Sequence, residues 1–184
     1  VERYQRLKHW MLDESFGEQR VFVQYQYNGT WSEVFSDSII LAPRYSIDYF
    51  SGVDTTGMGS GLYSLQTIPS TVLSSDTFTV LLSARNTGSV TWPVTGNAPV
   101  RISYHWKDAV TGEYIHYEGN RAPLSENVSY LQSTSELALD VFTPTVPGEY
   151  ILEIDAVQEG VTWFSTWGND MPSFRINVDE NTEY

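Results

Sequence analysis

Apolar and polar residues alternate with a period of two along most of the chain, and the three-and-four spacing that marks a helix is never sustained. Val21-Phe22-Val23-Gln24-Tyr25-Gln26-Tyr27 places Val21, Val23, Tyr25 and Tyr27 on one face of a strand. Asn28-Gly29 follows, a step that supplies the positive φ angles of a tight hairpin turn, and Ser38-Ile39-Ile40-Leu41 reads as the returning strand, stopped by Pro43. Residues 20–42 are therefore predicted to form a hairpin. Further strands are predicted at residues 62–68, 78–84, 100–106, 114–117, 137–142, 150–156, 161–165 and 174–178, each bounded by turn residues such as Thr111-Gly112, Pro147-Gly148 and Gln158-Glu159-Gly160. In the clearest of them Tyr150, Leu152 and Ile154 share a core face, while Glu149, Glu153 and Asp155 fall with Ile151 on the other, expected to be solvated. Short strands at this spacing predict an all-β protein, an antiparallel β-sandwich.

The Gly-rich stretch 54–61 lacks the Lys-Ser/Thr ending of a phosphate loop and is predicted to be a loop or linker. Hydrophobic residues make up 41% and aromatic residues 14% of the chain, which excludes an intrinsically disordered protein. A formal charge of -13 makes nucleic acid and anionic membrane poor partners, and no apolar run is long enough for membrane insertion. The absence of cysteine excludes disulfides, thiolate metal sites and a cysteine nucleophile.

Catalytic patterns are weak. His9, His105 and His116 have no partnered serine in a nucleophile-elbow setting, and His105, between Tyr104 and Trp106, reads as a structural residue. Asp140, Glu153, Asp155 and Glu159 could supply the paired carboxylates of a glycosidase, yet nothing selects a pair, and the chain reads as non-enzymatic. No cofactor is implied; calcium is the one candidate ion, since oxygen ligands are plentiful, with Asp54, Asn169 and Asp170 in loops but in no EF-hand spacing. Asn28-Gly29-Thr30 and Asn127-Val128-Ser129 match the glycosylation pattern at a level expected by chance.

The strongest functional hint is aromatic. The chain has 6 Trp, 12 Tyr and 8 Phe, and Trp163, Phe164 and Trp167 cluster beside Gly168-Asn169-Asp170. Residues 163 and 164 must point to opposite faces of a strand. One reading makes Trp92, Trp106 and Trp163 plugs of the core ends. The other makes Trp163 and Trp167 a ligand-binding shelf, with Asn169 and Asp170 binding sugar hydroxyls.

Leu82-Ser83-Ala84-Arg85-Asn86-Thr87-Gly88, Trp92-Pro93, the run from Val100 to Trp106, Gly119-Asn120-Arg121-Ala122-Pro123-Leu124 and Pro147-Gly148 through Phe164 resemble an immunoglobulin-like β-sandwich repeat of large bacterial extracellular proteins. The Asn-x-Gly then Trp-Pro wording is also distantly similar to the tryptophan-rich sandwich of autophagy receptors. Trp10-Met11-Leu12, Val21 to Tyr25, Gly29 to Ser32 and Ser36 to Ile39 resemble the second half of a bacterial Ig-like or fibronectin-III-like repeat.

These resemblances imply a partial Ig-like unit at residues 1–45, a linker or loop at 46–61, an Ig-like sandwich at 62–178 and an acidic tail at 179–184. They imply a non-catalytic structural or interaction module of a secreted or surface-displayed bacterial protein, with any export signal upstream of Val1. Its partners would be neighbouring domains of the same polypeptide, a glycan or another surface protein. The alternative is a carbohydrate-binding module accessory to a glycan- or cell-wall-active enzyme.

Overall fold

The computed structural model describes residues 17–51 and 62–182. The chain divides into two compact units, Val1–Pro43 and Arg44–Tyr184. Expectations placed on Trp10, Asp54 and the glycine-rich loop fall outside the described residues.

In the first unit β1 (Gly17–Val23), β2 (Gln26–Tyr27), β3 (Thr30–Trp31) and β4 (Phe35–Leu41) form one long hairpin. β1 and β4 pair in antiparallel register from Gly17↔Leu41 to Val23↔Phe35, and β2 pairs β3 across the turn. Asn28 and Gly29 both adopt positive φ, 47° and 81°, so the turn twists with its strands rather than splaying them. None of this unit's described residues is buried, and Phe22, Tyr27, Trp31 and Ile40 are largely exposed. A two-stranded ribbon of that kind is marginal on its own in water.

The second unit is an antiparallel β-sandwich of the immunoglobulin-like class. Its strands are β5 (Ile47–Ser51), β6 (Leu62–Ser64), β7 (Thr71–Leu73), β8 (Thr77–Asn86), β9 (Val100–Asp108), β10 (Tyr114–His116), β11 (Ala122–Pro123), β12 (Leu137–Phe142), β13 (Gly148–Gln158), β14 (Thr162–Trp163) and β15 (Ser173–Asp179). The larger sheet runs β10-β9-β13-β15-β7, with β11 on β9 and β14 on β13; the smaller runs β12-β8-β5, with β6 on β8. Among the described residues, the short β6–β8 and β7–β15 ladders are the parallel ones.

Alternation explains which residues meet between the sheets. Val80, Leu82 and Ala84 of β8 and Leu139 and Val141 of β12 face Ile102, Tyr104 and Trp106 of β9 and Leu152, Ile154 and Ala156 of β13, all essentially without exposure. Full burial of each large aliphatic side chain contributes about 1.5–3 kcal/mol. Tryptophans occupy the two ends: Trp92 packs edge-on to Phe164 at 5.5 Å, and Trp106 donates Nε1–H to the Phe142 carbonyl at 2.9 Å.

Two local expectations change. Residues 47–51, inside the predicted linker 46–61, are a paired strand, with Ile47↔Asn86 through Ser51↔Leu82. Tyr45 and Ile47 are buried. Glu153 and Asp155 are also buried, because residues 114–121 and the segment around Trp163 cover the outer face of the larger sheet.

Register fixes the two poles of this unit. Ile47, Asn86, Trp92, Val100 and Phe164 gather at one end. Thr77, Phe142, Trp106, Gly148 and Asp179 gather at the other, where the Asp179 carbonyl accepts the Ser74 N–H. The chain enters at the first pole and leaves at the second.

Candidate functional site

The four residues singled out as a ligand shelf do not form one. Trp163 is only 7% exposed. It points out of the sheet, opposite the buried core residue Phe164 as alternation requires, but Tyr117, His105 and Arg121 cover it. Trp167, in the short 3₁₀ turn Ser165–Trp167, is 39% exposed and stacks on Tyr45 at 4.2 Å with an interplanar angle of 11°. Asn169 is an internal clamp: Oδ1 accepts the Ile47 N–H at 3.1 Å, and Nδ2 donates to the carbonyls of Phe164 at 2.9 Å and Tyr45 at 3.3 Å. Of the four, Asp170 alone is exposed without a clamping role. Residues 167 and 169 thus fasten the entering segment 44–47, while Trp163 belongs to a different cluster.

That second cluster gathers three stretches distant in sequence on the outer face of the larger sheet. His105 projects outward from β9 between the core residues Tyr104 and Trp106, and β13 brings Glu153 and Asp155 beside it through Glu153↔His105 and Asp155↔Ser103. Residues 117–121, after β10, fold back over this face. Gly119 donates its N–H to the Tyr104 carbonyl at 3.1 Å, an approach that leaves no room for a side chain, since a Cβ there would lie 2.3 Å from that oxygen.

His105 is fully buried. Its Nδ1 donates to the Tyr117 carbonyl, Nε2 faces Asp155 Oδ2 at 3.5 Å, the Tyr117 ring stacks on it at 4.3 Å, and Trp163 meets it edge-on at 4.3 Å. Asp155 also accepts backbone N–H groups of Ala156 at 2.7 Å and Ser165 at 3.3 Å, so its carboxylate pins the turn that carries Phe164 inward. Ser103 Oγ donates to the Gly119 carbonyl at 3.0 Å and accepts from Arg121 at 2.9 Å; no hydrogen bond joins it to His105. Ser103, His105 and Asp155 are therefore adjacent without forming a nucleophile–base pair, and none of the three reaches solvent.

Charges at the rim are paired. Arg121 bridges Glu159 at 3.0 Å and Glu118 and lies 4.7 Å over the Trp163 ring, while Lys107 binds Glu153 at 2.8 Å and lies 4.5 Å over Tyr114. Burial works against the charged form of Lys107, but hydrogen bonds to Glu153 and Tyr114 outweigh it and raise its pKa. Burial raises the phenols of Tyr114 and Tyr117. What the arrangement presents outward is therefore aromatic and hydrogen-bonding, without a free nucleophile among its buried members.

A cleft of about 400 Å³ lies at the opposite pole, lined by Trp106, Ile115, His116, Phe142, Val146 and Tyr150. Among the described residues no three His, Asp or Glu side chains converge in a metal-binding group. The sequence motifs around His105, Arg121 and Trp163 were visible, but their convergence depends on the fold-back of residues 117–121, which leaves no periodic trace.

No family model matches the chain, and no curated protein matches it. Among solved structures it is similar to a CARDB domain from Pyrococcus furiosus in complex with di-metal ions, at 13% identity, 75% of this chain, 90% of that chain and a TM-score of 0.39. It is similar to AvmM, which catalyzes macrocyclization in alchivemycin A biosynthesis, at 8% identity, 88% and 98% coverage and a TM-score of 0.39. It is also similar to a family 123 glycoside hydrolase from Clostridium perfringens, at 9% identity, 73% and 27% coverage and a TM-score of 0.37. The sandwich assignment rests on strand register rather than on these likenesses.

Proposed function

We propose that the second unit is a non-catalytic spacer and interaction module of a larger secreted or surface-displayed bacterial protein. The observation that carries this reading is the placement of its entry and exit at opposite poles. Segment 44–47 enters beside Asn86 and Phe164, and the chain leaves at Asp179 beside Leu73 and Ser74. A module so connected adds its long axis to the length of the polypeptide.

Tension applied at those points loads both terminal strands along their own axes. β5 is then sheared against β8 over its five register pairs, and β15 against β13 and β7. Ladder hydrogen bonds lie perpendicular to the strands, so shear must break them together rather than in turn. The internally paired histidine and carboxylates of the outer face support the non-catalytic part of the reading. The hairpin of the first unit, with both faces largely exposed, supports neighbouring domains as partners.

Single-molecule stretching tests the proposal. Handles at residues 44 and 179 should give a higher unfolding force than handles at 46 and 87, which peel the β5–β8 ladder from one end. Equal or reversed forces would remove the spacer reading.

A further inference from the structure

The outer face of the larger sheet carries one aromatic ring whose orientation is fully determined by what lies beneath it. Tyr117 is parallel to His105 within 18° at a centroid distance of 4.3 Å, and His105 is buried in the face of the sheet. The inner face of the tyrosine is thus occupied, and the residue as a whole is 37% exposed. Tyr114, 41% exposed, stands at 80° to it at 4.8 Å, forming a wall beside a floor. Trp163 buttresses the floor from another side at 5.4 Å and 70°. The ring is held from below and laterally, so little side-chain freedom remains to be lost when something stacks on it.

The polar rim decides what that something is. Lys107, Arg121, Glu118, Glu153 and Glu159 surround these rings, and each cation is matched to a carboxylate. Arg101 also bridges Glu159, at 3.7 Å, so three cations meet three carboxylates and the rim is balanced, with both donors and acceptors present. An anionic ligand would have to approach Glu118, whose side chain is 64% exposed, and a cation would have to displace Lys107 or Arg121 from its partner. A neutral polyhydroxylated ligand can bond to both kinds of group without breaking a pair. A flat ring under a rim of alternating donors and acceptors matches a pyranose with equatorial hydroxyls, whose axial C–H face is apolar and whose edge is polar.

We propose that this surface, with Tyr117 as floor and Tyr114 as wall, binds neutral gluco-configured oligosaccharides. Glu118 and the exposed parts of Arg121 and Lys107 receive the hydroxyls, while Glu153, buried beneath, holds Lys107 and Tyr114 in place. The site is distinct from Trp167 and Asp170 and is independent of the spacer role, since stretching experiments and sugar titrations read different parts of the molecule.

The test is an amide chemical-shift titration of the full chain with cellohexaose and with chitohexaose. Saturable shifts should centre on residues 114–121 and on Lys107, with a dissociation constant of about 1 mM or tighter for at least one sugar. Tyr117→Phe keeps the stacking face and should hold affinity within about twofold, whereas Tyr117→Ala should weaken it about tenfold. Because Tyr117 also covers His105, a variant at the exposed rim separates binding from folding: Glu118→Arg should abolish the shifts while leaving the melting temperature unchanged. No saturable shift with either sugar, shifts centred on Trp167 and Asp170 or on the cleft at Phe142, or full affinity in Glu118→Arg would each overturn the proposal.

Discussion

Replacing Asn169 by alanine separates a clamp from a ligand-binding residue. The amide holds Ile47 N–H at 3.1 Å, the Phe164 carbonyl at 2.9 Å and the Tyr45 carbonyl at 3.3 Å, joining the entering segment to the turn after β14. Intramolecular hydrogen bonds contribute about 1 kcal/mol each, and leaving the N–H of buried Ile47 unpaired adds a desolvation cost of about 1 kcal/mol or more. The long Tyr45 contact counts for little, and water reaches part of the half-buried site, so the expected loss is about 2–3 kcal/mol. For a unit of this size that corresponds to a fall in melting temperature of roughly 6–10 °C. Thermal unfolding followed by circular dichroism, with exposed Asp170→Ala as the control expected to shift within about 0.5 kcal/mol of wild type, provides the comparison. A melting temperature for Asn169→Ala within about 1 °C of wild type would refute the clamp.

Three further outcomes follow from the same contacts. Gly119→Ala should unfold the cover of the outer face, because a Cβ would sit 2.3 Å from the Tyr104 carbonyl; an unchanged melting curve would contradict that close approach. Leu152→Asp, which buries an unpaired carboxylate in the core, should abolish folding, whereas Glu153→Ala should cost about 1–2 kcal/mol through loss of its bonds to Lys107 and Tyr114, measurable by urea denaturation. Tyr49 gives the pH dependence: burial first, and then the nearby Asp155 charge, hold its phenol well above the ordinary 10.0. The unfolded chain releases that proton first, so stability should be intact below pH 10 and fall as pH rises from there toward the folded value. The neighbouring Ala156 N–H is committed to Asp155 at 2.7 Å, leaving the Tyr49 hydroxyl without a partner. Tyr49→Phe should therefore flatten the alkaline decline, with no loss of stability at pH 7; an unchanged alkaline slope would contradict this assignment.

Strands whose burial is one-sided were legible. In β12 the alternation of Leu137, Leu139 and Val141 with Ala138, Asp140 and Phe142 appears directly as buried and exposed positions. β13 departs from the pattern after Leu152, where both faces are buried. Alternation says which way Glu153, Asp155 and Trp163 point, but it cannot show that residues 114–121 return to cover them. β5 was missed for another reason: it is short, follows Pro43 and leads toward a glycine-rich stretch. The alternating set Tyr45, Ile47 and Tyr49 was nevertheless present and would have marked it. Trp163 and Trp167 read as a pair because they are close in sequence. The 3₁₀ turn carries them apart, one toward His105 and the other toward Tyr45.

The distance across the second unit tests its central assignment most directly. With spin labels at residues 44 and 180, pulsed electron paramagnetic resonance should report a narrow distribution near the length of β8, ten residues at about 3.3 Å each, or about 30 Å plus the label arms. A narrow distribution at that distance means that entry and exit lie at opposite poles. A distribution centred below about 20 Å would place both ends at one pole and contradict the spacer account.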